Sequence, residues 1–336
     1  MTARRDGSGG GLYNGRMADT ELDRLLRSLR EHPGLKRKAA VADWARRFTA
    51  PPSGVIGPGD DAGAVPVDGK YFLLSGEGVF PDLLEDPEFA GFCAVTVNVN
   101  DIYAMGGRPV GVIAVVFAGG MTRRDRDSFL TGFSRGLEHY GIPMLGGHTS
   151  PEGERPTIAV CIAGVAERLL PGSGAKPGDA IVAALDLEGE PHHPFHAWDT
   201  VTGASGARTL GRLESLVEIA NRGLATACRD ISNPGLLGSL AMMLESSGAG
   251  ASVDLDAVRV PPAVDLEWWL QAYPSYGFIL CARPADLNAL LGALEAHGVD
   301  CATIGEVQQG SAIEVRWKGE TGTFLDWRER PVTGLF

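Results

Sequence analysis

The chain has 336 residues, of which 42 are acidic and 30 are basic, so its formal net charge is −12. The length favours two domains, and the composition, 44% apolar and 21% charged, excludes a mostly disordered chain, a coiled coil and a collagen-like repeat. The acidic balance argues against nucleic acid or an anionic membrane surface as the main partner, because both attract clustered Lys and Arg. It is compatible with a phosphate held through divalent cations.

The sequence gives no sign of targeting or of a membrane span. No stretch approaches the roughly 20 apolar residues of a membrane helix, and the Gly- and Arg-rich start lacks the apolar core of a signal peptide. We predict a flexible tail over residues 1–18. The five cysteines form no CxxC pair, which favours buried thiols in a reducing cytosol over a disulfide framework. We therefore expect a cytoplasmic protein.

The first half is predicted to mix helices and strands. In chain order, we predict a helical region over 20–48 broken at 33–34, a turn over 56–65, strands over 71–75, 110–117 and 157–165, and helices over 89–105 and 122–140. The continuous β-branched run of 110–117 is typical of a strand that is buried on both faces.

Pro and Gly cluster between residues 169 and 179, and we place a domain boundary there. This gives an N-terminal domain over 19–168 and a C-terminal domain over 169–336. In the second, we predict strands over 180–185, 276–282, 301–307 and 312–317, helices over 210–227, 235–247 and 284–297, and a polar junction over 228–234. Both halves are α/β without the regular βαβαβ order of a Rossmann fold.

Two adjacent carboxylates, Asp60 and Asp61, follow Gly59 in a glycine-rich turn. Such a pair suits Mg²⁺, which takes oxygen ligands and bridges substrate phosphates. An Asx-turn or a helix N-cap would account for one of the two acids equally well. Glu77, at the end of the next strand, is a candidate for a further ligand.

Asn98, Asn100 and Asp101 interrupt an otherwise apolar helix. Polar side chains in such a segment must be hydrogen-bonded or must bind a ligand. Asn98 and Asp101, three residues apart, lie on the same helix face. A polar helix end that pairs with nearby backbone is the competing interpretation.

Two further segments could contact phosphate. The run Gly146, Gly147, His148 and Thr149 allows close backbone approach, and its amides can line an anion-binding concavity, although an ordinary turn has the same composition. Residues 230–235 precede a helix whose first N–H groups attract phosphate, although Ser and Asn capping explains the same residues.

Three histidines, His192, His193 and His196, lie within five residues of each other and close to Asp199. They could hold Zn²⁺. Adjacent histidines with an intervening proline favour a solvated loop instead.

Together and in this order, the segments resemble the aminoimidazole ribonucleotide (AIR) synthetase superfamily. Its members include thiamine-monophosphate kinase, selenophosphate synthetase, formylglycinamidine ribonucleotide synthetase and the hydrogenase-maturation carbamoyl dehydratase. The resemblance runs from about residue 56 to residue 307 and is carried by 59–62, 94–109, 146–149 and 230–232. The run from Asn98 to Pro109 is the most specific part.

The resemblance implies an N-terminal and a C-terminal α/β domain and a homodimer formed through the N-terminal sheets. It implies that ATP lies near that interface, with Mg²⁺ on its phosphates and a small-molecule acceptor beside it. The candidate metal ligands are Asp60, Asp61, Glu77, Asp101 and Asp230. The candidate nucleotide-binding residues are Gly59, Asn98, Gly146, Gly147, His148 and Thr149. Asp230 is also the candidate catalytic residue, binding metal or orienting the acceptor.

Departures from the sequence pattern of the superfamily count against particular members of it. Many relatives carry an acid after the paired glycines, where this chain has His148, and neutral imidazole is a poor Mg²⁺ ligand. Residues 75–77 read Ser-Gly-Glu where thiamine-monophosphate kinases carry Thr-Thr-Asp. No cysteine precedes Cys93 to serve as the cysteine of selenophosphate synthetases.

We therefore expect an ATP- and Mg²⁺-dependent phosphotransferase or ATP-activating synthetase that acts on a small-molecule oxygen. One alternative is a non-catalytic nucleotide-binding or assembly protein of the same fold. The other is a metalloprotein built around the histidine loop.

Overall fold

The computed structural model describes residues 19–45, 47 and 51–335. The tail predicted over 1–18 lies outside the described residues, as does the end of the helical region predicted to reach residue 48. Among the described helices, none is both long and apolar enough to cross a membrane.

Helices and strands are interspersed along the chain. The helices are α1 (Glu21–Glu31), α2 (Pro33–Arg37), α3 (Ala40–Ala45), α4 (Pro87–Ala104), α5 (Arg123–Tyr140), α6 (Gly206–Arg222), α7 (Gly235–Ser247), α8 (Leu266–Gln271) and α9 (Leu287–Ala296). The strands are β1 (Gly63–Val67), β2 (Lys70–Gly78), β3 (Arg108–Phe117), β4 (Met144–Ser150), β5 (Thr157–Ala166), β6 (Ala180–Leu185), β7 (Glu190–His192), β8 (Ala197–Asp199), β9 (Ala227–Asp230), β10 (Gly250–Asp254), β11 (Tyr273–Pro274), β12 (Gly277–Ala282), β13 (Asp300–Gln308), β14 (Ala312–Trp317) and β15 (Glu320–Asp326).

The strands assemble into three sheets. The first half contains a five-stranded sheet in the order β1-β2-β5-β3-β4, antiparallel except for the β3–β4 pair. The second half contains a seven-stranded sheet in the order β15-β14-β10-β13-β6-β12-β9, antiparallel except for the β10–β14 pair. The short strands β11, β8 and β7 form a third sheet.

Helix α4 is buried along nearly its whole length because it lies between the five-stranded sheet and α5. It begins after Asp86, whose carboxylate accepts a hydrogen bond from the Phe89 N–H at 3.2 Å. The α4–α5 crossing depends on glycine, since a Cβ atom on Gly91 would lie 2.1 Å from the carbonyl oxygen of Phe129. The predicted helix over 89–105 is confirmed.

The five-stranded sheet is covered on one face only. Its outer face exposes Val65, Val67, Phe72, Leu74, Val110, Ile113, Phe117, Leu145 and Val165. The prediction that 110–117 is buried on both faces is therefore wrong, since Val110 is 49% exposed and Ile113 is 42% exposed. The apolar run identifies a strand correctly, but its outward side chains face away from α4.

The seven-stranded sheet has helices on both faces. One face packs against α6 and α9 and forms a core that is continuous with the core of the first half. The other packs against α1, α7 and α8, and α1 contributes its buried leucines Leu22, Leu25, Leu26 and Leu29. Helix α1 begins after Thr20, whose hydroxyl oxygen accepts a hydrogen bond from the Asp23 N–H at 3.1 Å.

Predictions for the second half are confirmed in part. Helix α7 and strand β14 have the predicted bounds. The helix predicted over 210–227 ends at Arg222 because Gly223 adopts a left-handed conformation with φ 65°. Residues 227–230 form strand β9, so the prediction of a polar junction there is wrong. Strands β10 and β15 were not predicted.

Candidate functional site

A cavity of about 780 Å³ opens between the two halves of the molecule. Its walls come from segments far apart in the sequence: α2, the turn before β1, strand β2, helix α4, and the residues that follow β9. The fold, and not local sequence, therefore assembles this site.

One face of α4 forms a wall of the cavity. The residues that line it are Ala90, Cys93, Ala94, Val97, Asn100 and Asp101. Their spacing of three and four residues places them in one stripe, about 16 Å long at 1.5 Å per residue. The stripe is apolar at its start and polar at its end, so the cavity has an apolar end and an acidic end.

All five predicted metal ligands line this cavity. The backbone N–H of Asp230 donates to the Asp61 carboxylate at 3.1 Å, which joins the end of β9 to the turn before β1. The Ser75 hydroxyl lies 2.6 Å from Asp101 Oδ2 and 3.0 Å from the carbonyl oxygen of Asp61. The carboxylates thus come from four segments, which are the turn before β1, strand β2 with Glu77, helix α4 and the end of β9.

The carboxylates are held in an environment that disfavours their charge. Burial, and then the charges of Asp230, Glu77 and Asp61, raise the pKa of Asp101 well above its usual range. Burial and the nearby Asp61 raise the pKa of Asp230 to about 8. Burial also raises the pKa of Glu77. A bound polyvalent cation would remove this repulsion.

A buried arginine, Arg229, partly compensates the negative charge of the acids. It is not among the site residues predicted from the sequence. It is 5% exposed, its Nη2 atom lies 3.3 Å from Asp61 Oδ1, and its Nη1 atom donates to the Gly59 carbonyl oxygen at 3.0 Å. The only sequence signal was a charged Arg-Asp pair directly after the apolar residues 227–228.

Asp60 differs from the other acids because a single backbone N–H engages both of its carboxylate oxygens. Both of its oxygens accept from the Gly172 N–H, at 2.9 and 3.0 Å, which ties the first half to the segment joining the halves. Burial and the charge of Asp61 raise the pKa of Asp60 to about 6, although Arg229 acts in the opposite direction.

The donor set fits Mg²⁺ only with help from a ligand. Among residues 19–45, 47 and 51–335, no three His, Cys, Asp or Glu side chains are arranged to hold a metal ion by themselves. Mg²⁺ commonly takes one or two carboxylates together with water and substrate phosphates, so the carboxylates of this cavity would suffice once a phosphate ligand is bound. The buried Asn100 Oδ1 next to Asp101 has no hydrogen-bond partner in the described part of the chain, while its Nδ2 donates to the Ser275 carbonyl oxygen at 3.0 Å.

The predicted nucleotide-binding residues are divided between the cavity and other places. Gly59 lines the cavity. Asn98 is fully buried inside α4, where its Nδ2 donates to the Ala94 carbonyl oxygen at 2.8 Å. Its side chain does not line the cavity of this chain.

Residues 146–149 belong to the edge strand β4, so the prediction of a turn or loop there is wrong. Gly147 is required by strand pairing, because a Cβ atom on it would lie 1.9 Å from the Ala114 carbonyl oxygen. The His148 ring lies 5.8 Å from the Phe117 ring, near the outer face. None of the four residues lines the cavity.

The histidine loop does not form a zinc site among the described residues. His192 Nε2 lies 3.1 Å from Asp86 Oδ2, and its ring stacks on Phe89 at 3.5 Å. His196 lies at the cavity and packs near Trp268, with ring centroids 5.5 Å apart. The two imidazoles therefore have separate partners.

Comparison with known proteins assigns the family. Residues 59–166 match the model of the AIR synthase related protein N-terminal domain, and residues 186–318 match that of the C-terminal domain. The chain therefore belongs to the AIR synthase related family, and the two-domain α/β architecture is confirmed. The matched segments lie on either side of 169–179, and the boundary itself stays a prediction.

Several relatives align over most of the chain. An uncharacterized protein of Synechocystis sp. is 34% identical over 82% of this chain and 86% of its own length. Another, from Methanocaldococcus jannaschii, is 35% identical over 85% and 91%. The selenide, water dikinase of Myxococcus xanthus is 27% identical over 88% and 98%.

Two solved structures share the fold. AaThiL complexed with AMPPCP and TMP has a TM-score of 0.63 at 20% identity, over 81% of this chain and 93% of that chain. T. maritima PurL complexed with ADP has a TM-score of 0.71 at 19% identity, over 89% of this chain and 49% of that chain. The present chain thus spans about half of the PurL chain.

Proposed function

We propose that this chain is an ATP- and Mg²⁺-dependent enzyme that transfers the terminal phosphoryl group of ATP to an oxygen of a small molecule, or activates that oxygen with it. The observation that carries the proposal is the convergence of buried, mutually repelling carboxylates at one end of a cavity. The family supports it, since one relative is a dikinase and two structural neighbours were solved with AMPPCP or ADP.

Phosphoryl transfer depends mainly on positioning and on neutralising charge. In this proposal, Mg²⁺ when bound neutralises the phosphates, and Asp61, Glu77, Asp101 and Asp230 hold it. Asp60 supports them indirectly, because its carboxylate accepts hydrogen bonds from the Gly172 N–H and so holds the turn in place.

The chain's other residues orient these groups and shape the acceptor pocket. Ser75 fixes the Asp101 carboxylate, and Arg229 fixes that of Asp61. The apolar end of the cavity, where Phe195 and Tyr273 join the α4 stripe, would hold the body of the acceptor and exclude water.

The proposal includes a homodimer formed through the outer face of the five-stranded sheet. The exposed apolar side chains of that face form a patch of the kind that marks interaction sites. Residues 146–149 lie on the edge strand of the same sheet, so their proposed contact with nucleotide would require the cleft to extend to this interface.

Isothermal titration of ATP with and without Mg²⁺, followed by an assay of ADP release against a metabolite library, tests the proposal. We expect metal-dependent binding and acceptor-dependent ADP release. Failure of the protein to bind ATP in the presence of Mg²⁺ would contradict it.

A second candidate is a nucleotide-binding protein of this fold without catalysis. Its support is that Asp60 and Asp61 already have protein partners in Gly172, Arg229 and the Asp230 N–H. The same experiment separates the two, because this candidate predicts Mg-ATP binding without turnover on any acceptor.

A further inference from the structure

The C-terminal end of α2 adds positive charge to the cavity. Gly34, Arg37 and Lys38 line it, although no sequence motif marks them. The proposed carboxylate site and this basic segment come from different parts of the fold, so their meeting is a property of the tertiary structure.

A glycine contact fixes α2 against the second half of the molecule. A Cβ atom on Gly34 would lie only 2.1 Å from the carbonyl oxygen of Asn233, so the helix backbone rests directly on the segment that follows Asp230. Leu35 beside it is buried and packs toward Gly238 at the start of α7. This packing sets the position of Lys38.

Among the described residues, Lys38 has no acidic partner at bonding distance. It lines the same cavity as Glu77 and Asp230, at the end of a helix that packs against the segment following Asp230. It nevertheless forms no salt bridge within the part of the chain that the structure describes. Lys36, two residues earlier, pairs with Glu31 outside the cavity.

Arg37 adds a second positive charge to the lining of the cavity. Its guanidinium carbon lies 4.8 Å from the centroid of the Phe80 ring, and both residues line the cavity. A cation–π contact of this kind holds the side chain in place while leaving its N–H groups able to bind an anion.

We propose that Lys38, with Arg37 beside it, binds phosphoryl oxygens of a ligand in the same cavity as the carboxylates. The inference rests on the proposed function, because a metal bound by the carboxylates would cancel the negative charge that now surrounds Lys38. Its ammonium group would then attract the phosphate, as a point charge with three donors. The phosphate could belong to the nucleotide or to the acceptor.

Titration calorimetry with two probes tests the inference and distinguishes the sources. Inorganic triphosphate with Mg²⁺ represents the nucleotide, and orthophosphate with Mg²⁺ represents a phosphate carried by the acceptor. We expect Lys38→Met to weaken binding of at least one probe roughly tenfold or more, since a lost charged contact costs that much. Lys38→Arg should retain most of the affinity.

Lys36→Met is the matched control, because it removes a lysine from the same helix that does not line the cavity. It should bind both probes as the wild type does. Equal affinities of wild type and Lys38→Met for both probes would overturn the inference. So would a Lys38→Met protein that differs only by binding Mg²⁺ more tightly, since Lys38 would then be a counter-charge for the carboxylates.

Failure of the inference and failure of the proposed function give different results. If the wild type binds Mg-ATP and Lys38→Met binds all probes equally well, only the inference fails. If the wild type does not bind Mg-ATP, the proposed function fails. Thermal melting of each variant shows whether it is folded.

Discussion

Asp101 shows how a single side chain can be costly to the fold and useful to a site. Its carboxyl group is buried in α4 with three acids near it, yet it keeps a hydrogen bond from Ser75 at 2.6 Å. An amide of the same shape would accept that bond without the repulsion. The arrangement is understandable if a cation normally balances the acids.

Asp101→Asn should therefore melt at the same temperature as the wild type or higher when metal and nucleotide are absent. It should lose most of the stabilisation that Mg-ATP gives, because a ligand charge is removed. Thermal melting with and without Mg-ATP measures both effects. Asp127→Asn, on the exposed surface of α5, is the control and should respond like the wild type. A full ligand response in Asp101→Asn would rule out its role as a ligand.

The raised pKa values predict an unusual dependence of stability on pH. Asp60, with a pKa of about 6, and Asp230, with a pKa of about 8, hold protons in the folded state that an unfolded Asp has released above ~3.9. The unfolding free energy should therefore fall as pH rises from about 4 to about 8.

Denaturant unfolding in EDTA across that pH range measures this slope. Asp230→Asn should flatten the upper part of it, and added Mg-ATP should do the same for the wild type. Stability that rises steadily from pH 5 to pH 8 without metal would show that the acids are not as crowded as the structure indicates.

Residue identity could be predicted better than residue environment. The pair Asp60–Asp61 and the residues Asp101 and Asp230 stand out in the sequence, and they do meet in one cavity. The engagement of Asp60 by Gly172 could not be foreseen, because the partners are 112 positions apart. The same is true of Arg229 beside Asp61 and of Lys38.

At the level of elements, α4 is the part on which the cavity most depends, since it forms a whole wall and carries Asn100 and Asp101 at the polar end of that wall. Its position is set by the crossing with α5, where glycines let the two backbones approach. A Cβ atom on Gly132 would lie 1.8 Å from the Glu88 carbonyl oxygen.

Gly91→Ala should destabilise the protein by about 1–3 kcal/mol, because its new methyl group would overlap the Phe129 carbonyl oxygen. Gly211→Ala in α6, where nothing lies within 4 Å of the added Cβ, should stabilise by about 0.5–1 kcal/mol. Chemical denaturation of both variants provides the comparison. Equal effects would mean that the α4–α5 approach is looser than described.

Elements with local signals were predicted well. Helix α5 has a capping threonine at Thr122 and a left-handed glycine at Gly141, and both ends match the prediction. The short strands β9 and β10 were missed because four or five residues carry too little pattern. The face of a strand that meets solvent depends on what packs against the sheet, which explains the error over 110–117.

At the scale of the whole molecule, the outer face of the five-stranded sheet is an apolar surface that the described residues leave uncovered. Its central strands present exposed apolar side chains in register, such as Leu74 at 55% exposure. Pairing of two copies through this face would bury them.

Leu74→Glu should shift the protein from dimer to monomer, because two like charges would meet in an apolar interface. Light scattering after size-exclusion chromatography gives the molar mass directly. Leu130→Glu is the matched control, since that leucine is 58% exposed on α5, away from this sheet face. A monomeric wild type, or a Leu74→Glu protein that remains dimeric, would contradict the proposed interface.

The central claim is that the converging carboxylates hold divalent metal on nucleotide phosphates. A crystal structure with AMPPCP and Mn²⁺, with anomalous difference density used to locate the metal, tests it most directly. We predict metal peaks within coordination distance of the carboxylates of Asp61 and Asp101, bridged to the phosphates. Nucleotide bound elsewhere, or metal sites that leave these carboxylates untouched, would contradict the account.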